Sequence, residues 1–177
     1  MAEFSINLKS PQDSGRTPST DVSQEMFYHA IAFFQAGSRC DVNIRLSPNI
    51  TSSLSAPAAV CYALSIEIYF KLLCKLSGVR FPRQHSFVDL FSGLSDADKK
   101  LILERANMTE EAFTEQIKPL SDTFVRWRYL YEQDSAWTSI TTLAWLAQLL
   151  HNTIRASRPH LKVTYENSLA LPDNFKY

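Results

Sequence analysis

Residues 55–78 read SAPAAVCYALSIEIYFKLLCKLSG, and the reading of this stretch decides the fold. Leu64, Ile66, Ile68, Tyr69, Phe70, Leu72, Leu73 and Leu76 make it apolar on nearly every side, which suits a helix enclosed by other helices. Ser55 fits an N-cap, Pro57 fits the first turn where its missing N–H is harmless, and Gly78 can take the left-handed conformation that closes a helix. One polar stripe remains, at Glu67, Lys71 and Lys75. Glu67 precedes Lys71 by four residues, the favourable order for an ion pair on one helical face. Charges on an enclosed helix need partners, and the rest of the chain must supply them.

Working outward, the chain reads as an all-α protein: a helical bundle of four to five main helices between irregular N- and C-terminal tails. Asp21 and Gln24 resemble a capping box, followed by Met26, Phe27, Ala30, Ile31 and Phe34 at helical spacing up to a terminating Gly37. Residues 38–54 alternate briefly and then dissolve into Pro, Asn and Ser, which predicts a loop with room for a short extended piece. Beyond the central helix, Pro82 marks a turn, and Phe87, Leu90, Phe91 and Leu94 mark a short amphipathic helix. Ser95 opens another, with Asp96 and Asp98 in its first turn and Leu101, Ile102 and Ala106 on its buried side. Thr109 opens a long pattern, Phe113, Ile117, Leu120, Phe124, Trp127 and Tyr131, which Pro119 should break or kink. A last helix is expected from Asp134 or Ser135 through Ala136, Ile140, Leu143, Ala147, Leu150 and Ile154, with Pro159 ending it. The division is a flexible arm over 1–20, the bundle over 21–158, and a tail over 159–177 packing on the bundle or on a second subunit.

At 177 residues the chain is long enough for one domain with a core of its own. Eighteen Lys and Arg balance eighteen Asp and Glu, so an RNA-binding surface must be a local patch rather than an overall field. Cys40, Cys61 and Cys74 form no CxxC or Cys/His ligand pattern, which predicts no metal and suits a reducing cytosol. The N-terminus lacks a signal-peptide apolar run, and no stretch offers about 18 uninterrupted apolar residues, so a cytoplasmic protein without membrane contact is expected. GxSxG, Walker, HExxH and dinucleotide-glycine motifs are missing, and with four glycines in the chain no glycine-rich phosphate cradle and no cofactor are expected.

The chemistry-bearing candidates are Glu67 and Lys71, then His85, then Arg126, Arg128, Tyr129 and Glu132 within SDTFVRWRYLYE (121–132). One reading is structural: Glu67, Lys71, Arg128 and Glu132 form an interhelical ion network, and Trp127, Tyr129, Tyr131 and Trp137 belong to the core. The other is functional: the aromatics stack bases, the arginines hold phosphates, and His85 moves protons. His85 also fits a helix-start residue or a packed core histidine.

The order of these residues resembles the HEPN family, helical domains named for higher eukaryotes and prokaryotes nucleotide-binding proteins. The resemblance rests on the Ala-rich start of the long helix, Glu67 and Lys71 in IEIYFKLL, Gly78, the turn ending in His85 before FVDLF, and FVRWRYLYE. It spans about residues 20–158. It implies an up-down helical bundle, commonly a homodimer, in a family that includes RNA-cutting toxins and phage-defence effectors as well as non-catalytic modules binding a partner protein or nucleotide. Metal-independent RNA cleavage in that family is linked to an Arg, four to six intervening residues and a His. FVRWRYLYE contains no such His, although Arg126 and Tyr131 have the gap; Arg80 to His85 and Arg155 to His160 have both the spacing and the residue types. The resemblance thus implies a possible endoribonuclease with His85 or His160 as acid/base, Arg126, Arg128, Tyr129 or Arg155 at the reacting phosphate, and Lys71, Glu67, Glu132 and Arg80 at the RNA or nucleotide.

Overall fold

A computed structural model describes residues 22–47, 50–80, 85–124 and 138–162. They form an all-α bundle around α2, Ser55–Leu76, to which a small two-stranded hairpin is added. Ala58, Ala59, Ala63, Ile66, Tyr69, Phe70, Leu72 and Leu73 of α2 are fully or almost fully buried, so this helix is apolar because other helices surround it. By length and composition alone it could cross a membrane, but most of it is core here. Gly78, with φ at 68°, closes it as expected: the Val79 N–H donates to the Cys74 carbonyl (2.9 Å) and the Gly78 N–H to that of Lys75 (3.2 Å).

The other end of α2 differs from the sequence reading. Ser55 is the first helical residue, and Leu54 takes the N-cap position with no side-chain hydrogen bond. The helix is launched from a hairpin, β1 Asn43–Ser47 and β2 Ile50–Ser53, paired antiparallel from Asn43 opposite Ser53 to Ser47 opposite Ile50. The Leu54 N–H donates to the Val42 carbonyl at 3.4 Å, extending the pairing to the first turn of the helix. The expected loop over 38–54 is therefore mostly paired backbone.

α1, Val22–Cys40, lies antiparallel to α2: Phe27 meets Tyr69, the Ala30 carbonyl accepts from Ser65 Oγ at 2.8 Å, and Phe34 meets Tyr62. Gly37 does not terminate α1, contrary to the sequence reading. It is buried inside the helix, and a Cβ there would come within 2.8 Å of the Tyr62 ring, so a missing side chain lets the two helices approach. Gln24, read with Asp21 as a capping box, uses both ends of its amide on the Lys162 backbone, at 2.7 and 2.8 Å, and Asp21 lies outside the described residues.

Four short or medium helices complete the described bundle. They are α3 (Phe87–Ser92), α4 (Asp96–Ala106), α5 (Glu110–Ile117) and α6 (Ile140–Ser157), capped by the side chains of Ser86, Ser95, Thr109 and Ser139 respectively. Pro119 acts as expected: α5 stops at Ile117 and gives way to a 3-10 turn over Lys118–Leu120. Residues 123–124 are helical again, and the remainder of FVRWRYLYE lies outside the described residues. α6 begins later than Asp134 or Ser135, because residues 138–139 are not helical and the Ser139 hydroxyl accepts the Thr142 N–H at 3.2 Å. It ends at Ser157, ahead of Pro159. Of the expected buried side of α4, Ile102 is fully buried while Leu101 and Ala106 are half-buried.

Asp98 ties three helix ends together. It is 1% exposed; Oδ2 accepts from the Ser95 hydroxyl at 2.7 Å and from the Ser77 hydroxyl, while Oδ1 accepts from Arg158 Nη2 at 2.9 Å. A first-turn aspartate suits the helix dipole, as the sequence suggests. Here it also joins the end of α2 to the end of α6. With Tyr69 opposite His151, that contact means α2 and α6 run in the same direction. Past α6, Leu161 is buried, so the start of the 159–177 tail packs on the bundle; residues 163–177 and the 1–20 arm lie outside the described residues.

Candidate functional site

The polar stripe of α2 meets the start of α3. Glu67 is only 6% exposed, and both its oxygens are engaged: Oε1 accepts from Lys71 Nζ at 2.5 Å, and Oε2 lies 2.9 Å from His85 Nδ1. Lys71 is the helical neighbour four residues on, so α2 alone fixes that half of the cluster. His85 arrives from outside. It directly precedes Ser86, whose hydroxyl accepts the Asp89 N–H at 3.3 Å, and α3 is anchored by the buried Phe87, Leu90 and Phe91. Phe87 and Phe91 both pack on Phe70 of α2, which brings the residue ahead of the cap over the Glu67 stripe.

The histidine side chain remains 48% exposed, with its ring 5.6 Å from that of Phe124. When Nδ1 carries the proton it donates to Glu67, and Nε2 is left with a lone pair to accept another. A buried carboxylate that fixes the ring and tautomer of a half-exposed imidazole is a sound arrangement for proton transfer. It is also a sound way to satisfy a buried acid.

Of the residues singled out from sequence, the structure brings Glu67, Lys71 and His85 together. Arg126, Arg128, Tyr129 and Glu132, with Trp127, Tyr131 and Trp137, lie outside the described residues. Arg80 is exposed just after Gly78, and His160 is exposed just after Pro159. Arg155 is exposed near the end of α6, where it lines a cleft against α4.

Sequence reasoning missed His151. Its Nδ1 lies 2.9 Å from the Tyr69 hydroxyl, its ring stacks on Phe27 at 5.8 Å, and burial, helped by the Arg155 charge, lowers its pKa to about 4. It is the packed core histidine that His85 was weighed as, and its place between Ala147 and Ile154 on the apolar face of α6 was a usable signal. Cys61 and Cys74 offer no ready nucleophile: burial raises the pKa of both, with Cys40 adding to the first and Asp98 to the second. Among the described residues no group of three or more His, Cys, Asp or Glu side chains is placed to hold a metal ion. Comparison of the chain with protein-family models, curated proteins and solved structures gives no match.

Proposed function

We propose that this chain is a HEPN-like protein that binds RNA and cleaves it without a metal, with Glu67 and His85 as its proton-transfer pair. The observation that carries the reading is the 2.9 Å contact between Glu67 Oε2 and His85 Nδ1 on a ring that remains half-exposed. In the reaction proposed, Nε2 takes the proton of a ribose 2'-hydroxyl as that oxygen attacks the adjacent phosphorus. The bond to the 5'-oxygen breaks, a 2',3'-cyclic phosphate forms, and the imidazolium returns a proton to the departing 5'-hydroxyl. Glu67 holds the ring and stabilises its charged form, and Lys71 balances the carboxylate. Arg126, Arg128, Tyr129 and Arg155 are the proposed phosphate-side groups, with Glu132 and Arg80 contributing to RNA contact. The resemblance adds a homodimer in a bacterial phage-defence or toxin system, and the cysteine usage suits a cytoplasmic one.

A second reading has its own support. Both oxygens of Glu67 are already satisfied by Lys71 and His85, as a purely structural network requires. On that reading the chain is a non-catalytic module that binds a partner protein or nucleotide. Incubating the protein with single-stranded RNA in EDTA, beside His85→Ala and His160→Ala variants, separates the two. Cleavage to cyclic-phosphate ends that His85→Ala abolishes supports the ribonuclease; an inert wild type, or cutting that survives in His85→Ala, removes it.

A further inference from the structure

All the histidines of the chain lie at described positions, and their surroundings differ. His29 and His160 are exposed and pair with no described carboxylate, and His151 is buried against Tyr69. His85 alone combines an accessible ring with an acid at one nitrogen: its side chain is 48% exposed, and Nδ1 lies 2.9 Å from Glu67 Oε2. Its described contacts are that carboxylate and the Phe124 ring, so Nε2 makes no hydrogen bond with any described residue.

Glu67 does two things to the imidazole. It keeps the proton on Nδ1, which leaves the Nε2 lone pair as a nucleophile. It also stands where positive charge develops once Nε2 bonds to an electrophile, and it is buried and held at its other oxygen by Lys71. Product stability and charge select the electrophile. An acyl group on imidazole is lost quickly to water, whereas a phosphoryl group on Nε2 persists at neutral and alkaline pH. From Val79 to His85 the sequence carries Arg80 and Arg83 and no acid, so the turn that delivers the ring has the charge that favours an incoming phosphate group.

We propose that His85 is a phosphoryl acceptor, taking the group at Nε2 from a phosphoramidate donor. The Nε2 lone pair attacks phosphorus, the Nε2–P bond forms, and the donor's N–P bond breaks with its electron pair leaving on nitrogen. The donor nitrogen is already protonated, so it departs as a neutral amine. Nδ1 keeps its proton, and the phosphorylated imidazolium is paired with Glu67. This rests on the same Glu67–His85 geometry as the proton-transfer reading but needs no RNA. It adds a regulation to that site, because a phosphoryl group on Nε2 removes the lone pair that would take the 2'-hydroxyl proton.

Incubating the full chain with potassium phosphoramidate, followed by intact-protein mass and phosphorus NMR, tests it. One acid-labile, alkali-stable phosphoryl group is expected at Nε2 of His85, formed about tenfold or more faster than at His29 or His160. His85→Ala should lose it and His29→Ala should keep it. Glu67→Gln, which retains the size of the side chain but not its charge, should slow the reaction about tenfold and let the Nδ1 isomer appear, while Glu67→Asp should recover part of the rate. No labelling, labelling at equal rates on the three accessible histidines, an Nδ1 product in the wild type, or an unchanged rate in Glu67→Gln overturns the proposal. A chain that takes the phosphoryl group yet leaves RNA intact upholds this inference and removes the nuclease; one that cuts RNA but takes no phosphoryl group does the reverse.

Discussion

The Tyr69 hydroxyl and His151 Nδ1 lie 2.9 Å apart in the core of the bundle, joining α2 to α6 by a polar contact. The burial of His151 there, with the Arg155 charge nearby, makes stability depend on pH. With the His151 pKa lowered to about 4, an unfolded chain binds a proton below about pH 6.5 that the folded chain refuses. Stability should be full above that point and fall as pH drops toward 4, by about 3 kcal/mol in all. Urea titrations between pH 7.5 and 4 will read the slope, and His151→Gln should remove this residue's share. An unchanged slope in the variant would contradict the assignment.

Asp98 offers a test of the fold. Asp98→Ala strips one carboxylate from Arg158, Ser77 and Ser95 at once, and a loss of about 3 kcal/mol is expected. Ser95→Ala removes only a cap and one of those contacts and should cost about 1 kcal/mol. Equal losses in the two variants would mean that Asp98 does no more than begin a helix.

The Glu67 cluster predicts an asymmetry between its members. Glu67→Ala leaves Lys71 and His85 without their buried acid, and about 2 kcal/mol should be lost. His85→Ala removes a half-exposed partner, and the change should stay within about 0.5 kcal/mol. Melting temperatures decide it: if His85→Ala falls as far as Glu67→Ala, the histidine is structural and the proton-transfer reading weakens.

Gly37→Ala should destabilise the protein by about 1 kcal/mol, since the new methyl meets the Tyr62 ring and the helix-propensity gain offsets only part of the strain. In a Tyr62→Leu background the same change should become neutral or stabilising. Thermal melts of the four proteins of this cycle measure the coupling, and additive effects would rule out the Tyr62 contact as the reason for the glycine.

Local signals carried the reading of the fold a long way. The Gly78 closure, the Ser95 and Thr109 helix starts and the Pro119 break all depend on residues within one turn of the feature they set. Gly37 defeated the same logic because its reason is a ring on another helix, 25 positions away in the chain. The start of α2 was missed by one residue because a hairpin, not a side-chain cap, feeds it. At the candidate site, Glu67 and Lys71 were legible together as helical neighbours. That His85 and Arg128 would meet Glu67 could be expected only from the resemblance, because spacing along the chain gives no distance across a turn; His85 does reach it, and Arg128 lies outside the described residues. Asp98 was read as a local dipole partner, while its main contacts lie 21 and 60 residues away.

The amide of Gln24 and the backbone of Lys162 grip each other across 138 residues of sequence, so the first and last described segments meet at one corner of the bundle. A circularly permuted version joined at that corner by a short linker should keep the native topology. Labels placed at Gln24 and Lys162 themselves would sit as neighbours, and anything bulky attached at one would crowd the other.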